Sequence, residues 1–301
     1  MSEAVSSKVT AVDYDPFAAT TVARVVPTTE AQRELWLADK LGREASLAFN
    51  ESVVLSIQGD LDVEAMQASL LALSNRHEAL RSTVSEDGMS LLIAPEGALR
   101  AELVDLRNQT PAEQAVTLER MRVEAVEKPF DLVNGPLVTA ALAQLEDRKF
   151  ELLINSHHVV CDGWSFGVVS RELMLLYQAT VSGIGPQALA PANSFGDFSL
   201  ALLEPERAQS AEADSRYWVA QYDASVPVLD LPTDRSRPAQ RTFNSRREDM
   251  VVEPELLDAI RKAGAKQGAS LFASVFSAKV NSRAWSSDRP TRSSATLPRG
   301  S

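Results

Sequence analysis

The sequence predicts an α+β (mixed α/β) fold, a large mixed sheet with helices packed on it. Stripes of apolar residues recur at three- and four-residue steps, as in Ala65, Met66, Leu70 and Leu73 behind Asp62. Between such stripes lie runs of period-two alternation, as in Val53, Leu55 and Ile57, the mark of a strand with one buried face. The apolar fraction of 45% over 301 residues is ordinary for a globular chain and fills a sizeable core, in one large domain or two medium ones.

Each element has a local reason. Residues 1–26 lack periodicity and read as a leader or linker. Thr29-Glu30-Ala31-Gln32 has capping-box spacing, so a helix starts there, with Leu35, Trp36 and Leu41 turned to the core. Trp36 reads as packing. A strand over 52–58 precedes the helix opened by Asp62. Arg76 to Val84 leaves that helix and enters a strand. Residues 89–106 suggest two short strands around Pro95-Glu96-Gly97. Pro111 opens a charged amphipathic helix running to about Lys128, its charges a solvated face. Pro129-Phe130-Asp131-Leu132 and Gly135-Pro136-Leu137 lead into a hairpin, strands near 137–145 and 149–156 turned by Glu146-Asp147-Arg148. Phe166, Val169, Leu173 and Leu176 then mark a helix to about Val181. Turn residues fill 182–186. A helix over 206–222 carries Tyr217 and Trp218, the Pro-rich run 227–238 is extended, and a strand (242–252) and a helix (254–267) follow. Ser270 caps a last helix with Leu271, Phe272, Val275 and Phe276. No internal repeat is visible.

Composition removes several function classes. A net charge of −11 argues against nucleic-acid binding by phosphate attraction, and gives no support for an anionic membrane surface. The single cysteine excludes an internal disulfide framework and fits a reducing compartment. Met1 to Thr10 are polar, and no apolar run reaches bilayer length. The expectation is a soluble, cytoplasmic protein. The pattern breaks at Lys279. Residues 279–301 hold four Arg, one Lys and one Asp, net +4 against −15 for residues 1–278. That tail reads as disordered, or as non-native sequence from an altered reading frame.

Chemistry concentrates in Asn155-Ser156-His157-His158-Val159-Val160-Cys161-Asp162-Gly163-Trp164-Ser165, between a strand pattern and a helix pattern. Two of the three histidines are adjacent here. The residues alone allow three readings. The pair can be turn histidines, one packed and one exposed. A metal site needs further ligands, and His77 and Cys161 are the only other His or Cys in the chain. An acid–base pair would use an imidazole that titrates near neutrality, with Asp162 fixing the loop and Gly163 giving a tight turn or close backbone approach. His77 likewise reads as a second base, or as a structural histidine tying the helix–strand corner to Glu78 or Arg81.

These residues carry a resemblance. His157-His158-Val-Val-Cys-Asp162-Gly163, with Trp164-Ser165, resembles the HHxxxDG signature of nonribosomal peptide synthetase condensation domains, within the chloramphenicol-acetyltransferase-like acyltransferases. Further segments match in order. Ala31-Gln32-Arg33-Glu34-Leu35-Trp36 is similar to AQxRLW, departing at Glu34-Leu35. Arg76-His77-Glu78-Ala79-Leu80-Arg81-Ser82-Thr83-Val84 is similar to RHExLRTxF, with Ser82 and Val84 for Thr and Phe. Residues 129–137 resemble PFDL…GPL, Phe195-Gly196-Asp197-Phe198 resembles FxDY, and Tyr217-Trp218 with Leu229-Asp230-Leu231-Pro232-Thr233-Asp234-Arg235 resembles YW…LELPTDRPRP. The likeness covers roughly residues 24–278.

The resemblance implies a two-lobe sandwich: residues 27–181 as a complete first lobe, 182–278 as the crossover and a partial second. It implies amide-forming acyl transfer from an acyl or peptidyl thioester to an aminoacyl thioester. Both ride on phosphopantetheine arms of carrier proteins, meeting in a tunnel between the lobes. No cofactor and no metal is expected on the domain itself, and the partners are carrier proteins and adjacent synthetase modules. His158 is the implied catalytic residue, as base or by orienting the amine. His157, Asp162 and Gly163 support the loop, with Asp162 expected to be buried and paired. Trp164 and Ser165 are substrate-channel candidates, while Arg76, His77 and Arg81 are structural. Two rival readings remain, a stand-alone acyltransferase using carrier-protein or coenzyme A thioesters, and a non-catalytic carrier-binding fragment. The LPTDR run and Trp164-Ser165 favour the synthetase.

Overall fold

The computed structural model describes residues 22–185, 189–222 and 250–277, with positions 226, 235, 236, 238, 239, 242 and 243 between them. Two compact units divide at Asp223/Ala224. The first runs β1 (Arg24–Pro27), α1 (Glu30–Asp39), α2 (Arg43–Leu47), β2 (Asn50–Gln58), α3 (Val63–Arg76), a 3-10 turn (Glu78–Arg81), β3 (Ser82–Val84), β4 (Ser90–Ile93), β5 (Ala101–Asp105), α4 (Pro111–Glu127), β6 (Val138–Glu146), β7 (Lys149–His157), α5 (Gly163–Val181), α6 (Phe195–Ala201) and α7 (Pro205–Gln221). Several of its helices start on capping side chains. Thr29 and Gln32 close a capping box on α1, and Thr110 and Glu113 close one on α4 with Pro111 in the first turn. Asp62 and Asp162 accept from Ala65 N and Ser165 N at the heads of α3 and α5.

Where a large mixed sheet is expected, the described residues form two sheets. A four-stranded sheet has the order β2-β7-β6-β5, antiparallel except for the β5–β6 pair, and a three-stranded antiparallel sheet has the order β1-β4-β3. One face of the larger sheet receives α3 and α5. Leu70 and Leu73, Leu152 and Ile154, and Leu173 and Leu176 meet there as one buried cluster. The other face receives α4, whose Leu118 and Met121 pack near Ala143 and Leu145. The smaller sheet has its own core, Val26, Val84, Leu91 and Ile93, with Trp36 of α1 against it. Burial of such side chains, at roughly 1.5–3 kcal/mol each, drives both layers together.

Several sequence expectations shift. Arg24–Pro27, read as the end of a leader, is an edge strand paired with Ser90–Ile93. Its four residues are too short to show a period. Leu41 is exposed, because α1 ends at Asp39 before reaching it. Trp36 does pack, over Gly88, whose φ of +74° and missing Cβ both suit the turn; a Cβ there would come within 2.5 Å of the indole. The first compact unit runs on to Asp223, and α6 returns to β1: the Ser199 hydroxyl donates to the Pro27 carbonyl.

In the second unit α8 (Pro254–Ala265) fills the expected helix. Residues 271–277 are helical behind Ser270, whose Oγ accepts from Ala273 N at 3.1 Å. Of the strand expected at 242–252, the described positions 242, 243 and 250–252 carry no strand. The rest of that segment, Leu229 to Asp234 of the LPTDR run, and the tail from 279 lie outside the described residues. Among the described residues no helix is long and apolar enough to cross a membrane.

Candidate active site

The histidine pair stands where β7 leaves the sheet. The first histidine still belongs to the ladder, opposite Asn50 of β2. Its N–H donates to the Leu137 carbonyl at 3.0 Å, and the N–H of His158 donates to the Phe49 carbonyl at 2.8 Å. The loop that follows is held from both cores. Val159 is buried in the cluster of the smaller sheet, and Cys161 is 5% exposed. Gln32, the capping-box residue of α1, donates its Nε2 proton to the Val159 carbonyl at 2.9 Å. One side chain thus caps a helix and fixes the loop. The capping-box spacing marked Gln32, but only its helix role was legible.

The two imidazoles are held in opposite tautomers. His157 is fully buried, between Phe49 and the edge of Phe130 at centroid distances of 6.3 and 6.1 Å. Its Nδ1 accepts from Val159 N at 3.1 Å, so in the neutral ring the proton sits on Nε2, a buried atom with no hydrogen-bond partner among the described residues. Burial pushes its pKa down to about 4. His158 has a side chain 34% exposed. Its Nδ1 lies 2.7 Å from the Cys161 carbonyl, which can only accept. In the neutral ring the proton is therefore on Nδ1, and Nε2 is left as the acceptor. Phe49 lies against this ring, centroids 6.4 Å apart. Burial pushes the Cys161 thiol up to about 11, so it stays protonated and is no nucleophile.

Asp162 corrects the expectation of a buried, paired carboxylate. It is exposed and caps α5, accepting from the Ser165 N–H at 2.8 Å and the Ser165 hydroxyl at 2.6 Å. These hydrogen bonds lower its pKa. Asp162→Ala is accordingly expected to cost about 1 kcal/mol, the usual loss for an N-cap, with a small drop in melting temperature by calorimetry. A loss of several kcal/mol would show that the carboxylate has a second, tighter partner. Gly163 has no positive φ, and a Cβ on it would meet nothing within 4 Å. Neither a tight turn nor a close backbone contact within the described chain requires glycine there. Trp164 is 85% exposed on the first turn of α5.

The second motif is structural in its contacts. His77 Nε2 and Arg76 Nε both reach Glu172 Oε2 of α5 at 2.7 Å, so the corner is tied to Glu172, not to Glu78 or Arg81. Burial raises the Glu172 pKa, but the bonds from Arg76 and His77 outweigh it and the net shift is downward. Arg81 donates to the Ala94 carbonyl. Glu78 instead receives Ser194 Oγ at 2.7 Å, Gly196 N at 2.9 Å and Arg24 at 3.3 Å, which docks the 195–198 motif. A groove of about 560 Å³ lies on the α4 face, lined by Lys128, Phe130 and Asn155 among others; His158 does not line it.

Sequence reasoning missed Glu51. It sits on β2 opposite Ser156, with Oε2 3.5 Å from His158 Nδ1. The signal was present: carrying the Val53, Leu55, Ile57 register back one step places a carboxylate on the apolar face.

Residues 22–281 match the family described as Condensation domain. The chain is 34% identical over 255 residues to the malpinin synthetase of Mortierella alpina, covering 84% of this chain and 3% of that protein. It is 34% identical over 275 residues to the phosphinothricin tripeptide synthetase PhsC of Streptomyces viridochromogenes, covering 88% and 24%. The chain thus spans a small part of the length of the curated relatives it matches. Among solved structures it is similar to a chain of the complex of the X-domain and OxyB from teicoplanin biosynthesis, at TM-score 0.64 and 27% identity over 84% of this chain and 55% of that one. The starter condensation domain of rhizomide synthetase shares the fold, with TM-score 0.62 at 24% identity over 71% and 48%.

Proposed function

The chain belongs to the condensation-domain family, and on that premise we propose that it forms the amide bond of nonribosomal or hybrid polyketide–peptide synthesis. The donor is an acyl or peptidyl thioester and the acceptor an aminoacyl thioester, each on the phosphopantetheine of a carrier protein. The chain itself supplies no cofactor to the reaction, works beside other synthetase modules, and does so in the cytoplasm. Residues 27–181 are its first lobe, and 182–278 hold the crossover, whose α6 docks back on β1, and part of the second lobe.

One observation carries the chemistry: Nδ1–H of His158 is pinned to the Cys161 carbonyl, which leaves Nε2 as a fixed acceptor on a partly exposed ring. The acceptor amine adds to the donor thioester carbonyl and a C–N bond forms. The amine proton passes to Nε2. The tetrahedral species then collapses, the C–S bond breaks, and the proton goes from the imidazolium to the departing thiolate. A positioned base of this kind contributes about 10²–10⁴-fold. His157, neutral and buried, holds the loop. Gly163, with open space where a side chain would stand, leaves room for a pantetheine arm.

The test is to mix the chain with one acyl-loaded and one aminoacyl-loaded carrier protein and weigh both carriers by intact mass spectrometry. The acceptor carrier should gain the acyl mass while the donor carrier returns as free thiol. Transfer only to coenzyme A or an alcohol would favour the stand-alone acyltransferase. Carrier binding without transfer would favour the non-catalytic fragment.

A further inference from the structure

We propose that Glu51 is the positioning residue of His158, an anion that faces its Nδ1 edge and sets how readily the ring accepts a proton. The inference rests on His158 being the acid–base group. The placement follows from the ladder. Glu51 shares a face of β2 with Val53, Leu55 and Ile57, and pairs with Ser156, one step from the Asn50–His157 pair. Phe49, two residues before it, takes the His158 N–H. The start of β2 and the histidine loop are therefore one rigid piece.

Glu51 Oε2 is buried and makes no hydrogen bond among the described residues, yet it lies 3.5 Å from His158 Nδ1. A carboxylate oxygen withdrawn from water without a donor is unfavourable. The group of positive character set against it is that ring edge. In the neutral ring Nδ1–H is committed to the Cys161 carbonyl. When Nε2 takes a proton the charge spreads over the ring, and the Glu51 carboxylate meets it without moving. Two carboxylates act on the ring. Asp162, ionised and hydrogen-bonded to Ser165, adds its charge to that of Glu51, while His157 is neutral and the Cys161 thiol is protonated. Glu51 is the one whose oxygen, among the described residues, stands within ion-pair distance of the ring.

The experiment uses the full chain with E51Q, E51D and H158A, the last to assign the ring signals. In a nitrogen-15 NMR titration, removing the anion disfavours the imidazolium, so His158 in E51Q should titrate at a pH lower by about 0.5–1. E51D should restore part of the difference. In the condensation assay kcat should fall about tenfold with KM little changed, and the acid limb of the pH profile should move the same way as the titration. A folded E51Q chain whose His158 titrates as in the parent overturns the assignment of Glu51. An H158A chain of full activity overturns the catalytic reading instead, and leaves the Glu51–His158 coupling measurable by the titration.

Discussion

His158→Ala is expected to lower dipeptidyl-carrier formation by about 10²–10⁴-fold while the protein stays folded. The ring is partly exposed and its one side-chain hydrogen bond is to the Cys161 carbonyl. The bond that carries the chain through this point, His158 N–H to the Phe49 carbonyl, is made by the backbone and survives the substitution. The loop keeps its other anchors, Val159 in the smaller core and Gln32 on the Val159 carbonyl. The melting temperature should therefore move by no more than a few degrees. Activity within about threefold of the parent would remove His158 from the chemistry. A large fall in melting temperature would make the activity loss uninterpretable as catalysis and assign the ring a structural role.

Glu172→Gln should do the reverse, with a large effect on stability and none on the identity of the reaction. Its side chain is 9% exposed and takes bonds from both Arg76 and His77, 16% and 21% exposed. Removing the anion leaves a half-buried guanidinium unpaired, at the lower end of the loss for a broken buried pair, about 3 kcal/mol. For a unit of this size that is about 6–12 °C. By contrast, breaking the exposed Arg120–Glu124 pair on α4 should cost only about 0.3–0.5 kcal/mol. The pH dependence follows from direction. The Glu172 pKa is lowered in the fold, so its stabilisation is present above the unfolded value near about 4.3 and lost as pH falls through the folded one. His157, lowered to about 4, already costs stability between its unfolded value near about 6.5 and that point. Urea midpoints against pH should show Glu172→Gln with a shallower slope below about pH 4.3, where other lowered carboxylates such as Glu78 and Asp162 keep the remainder, and an unchanged slope above it. An unchanged acid slope would mean that Glu172 is not the group responsible.

The helices were legible because their signals are local. Thr29, Asp62 and Pro111 name their own starts, and apolar stripes name their faces. The hairpin was legible because β6 and β7 adjoin in sequence. The separate smaller sheet was not, since β1 and β4 pair across some sixty residues and each has four. The HHxxxDG stretch located the site, but not the tautomers, which depend on Val159 N and the Cys161 carbonyl. Asp162 escaped for a related reason: whether a carboxylate is buried with a base or exposed as a cap depends on where the helix begins. His77 has the expected kind of role with a different partner, because Glu172 lies far along the chain. Glu78, one of the partners expected for His77, instead holds Ser194 and Gly196, which lie more than a hundred residues further along the chain.

The two ladders of β7 differ in regularity. With β2 it pairs without a break from Gln58–Lys149 to Asn50–His157, whereas its pairing with β6 shifts between Gln144 and Glu146. Tolerance to changes of length is therefore one-sided. A residue added at the hairpin tip enters where the register already slips, at the end of the strand farthest from the histidines. A residue added inside β7 would invert every later side chain, turning His157 out of its pocket and putting Ser156 in its place. Drift in length among descendants of this chain, and any reporter an engineer wishes to splice in, belongs at Asp147–Arg148.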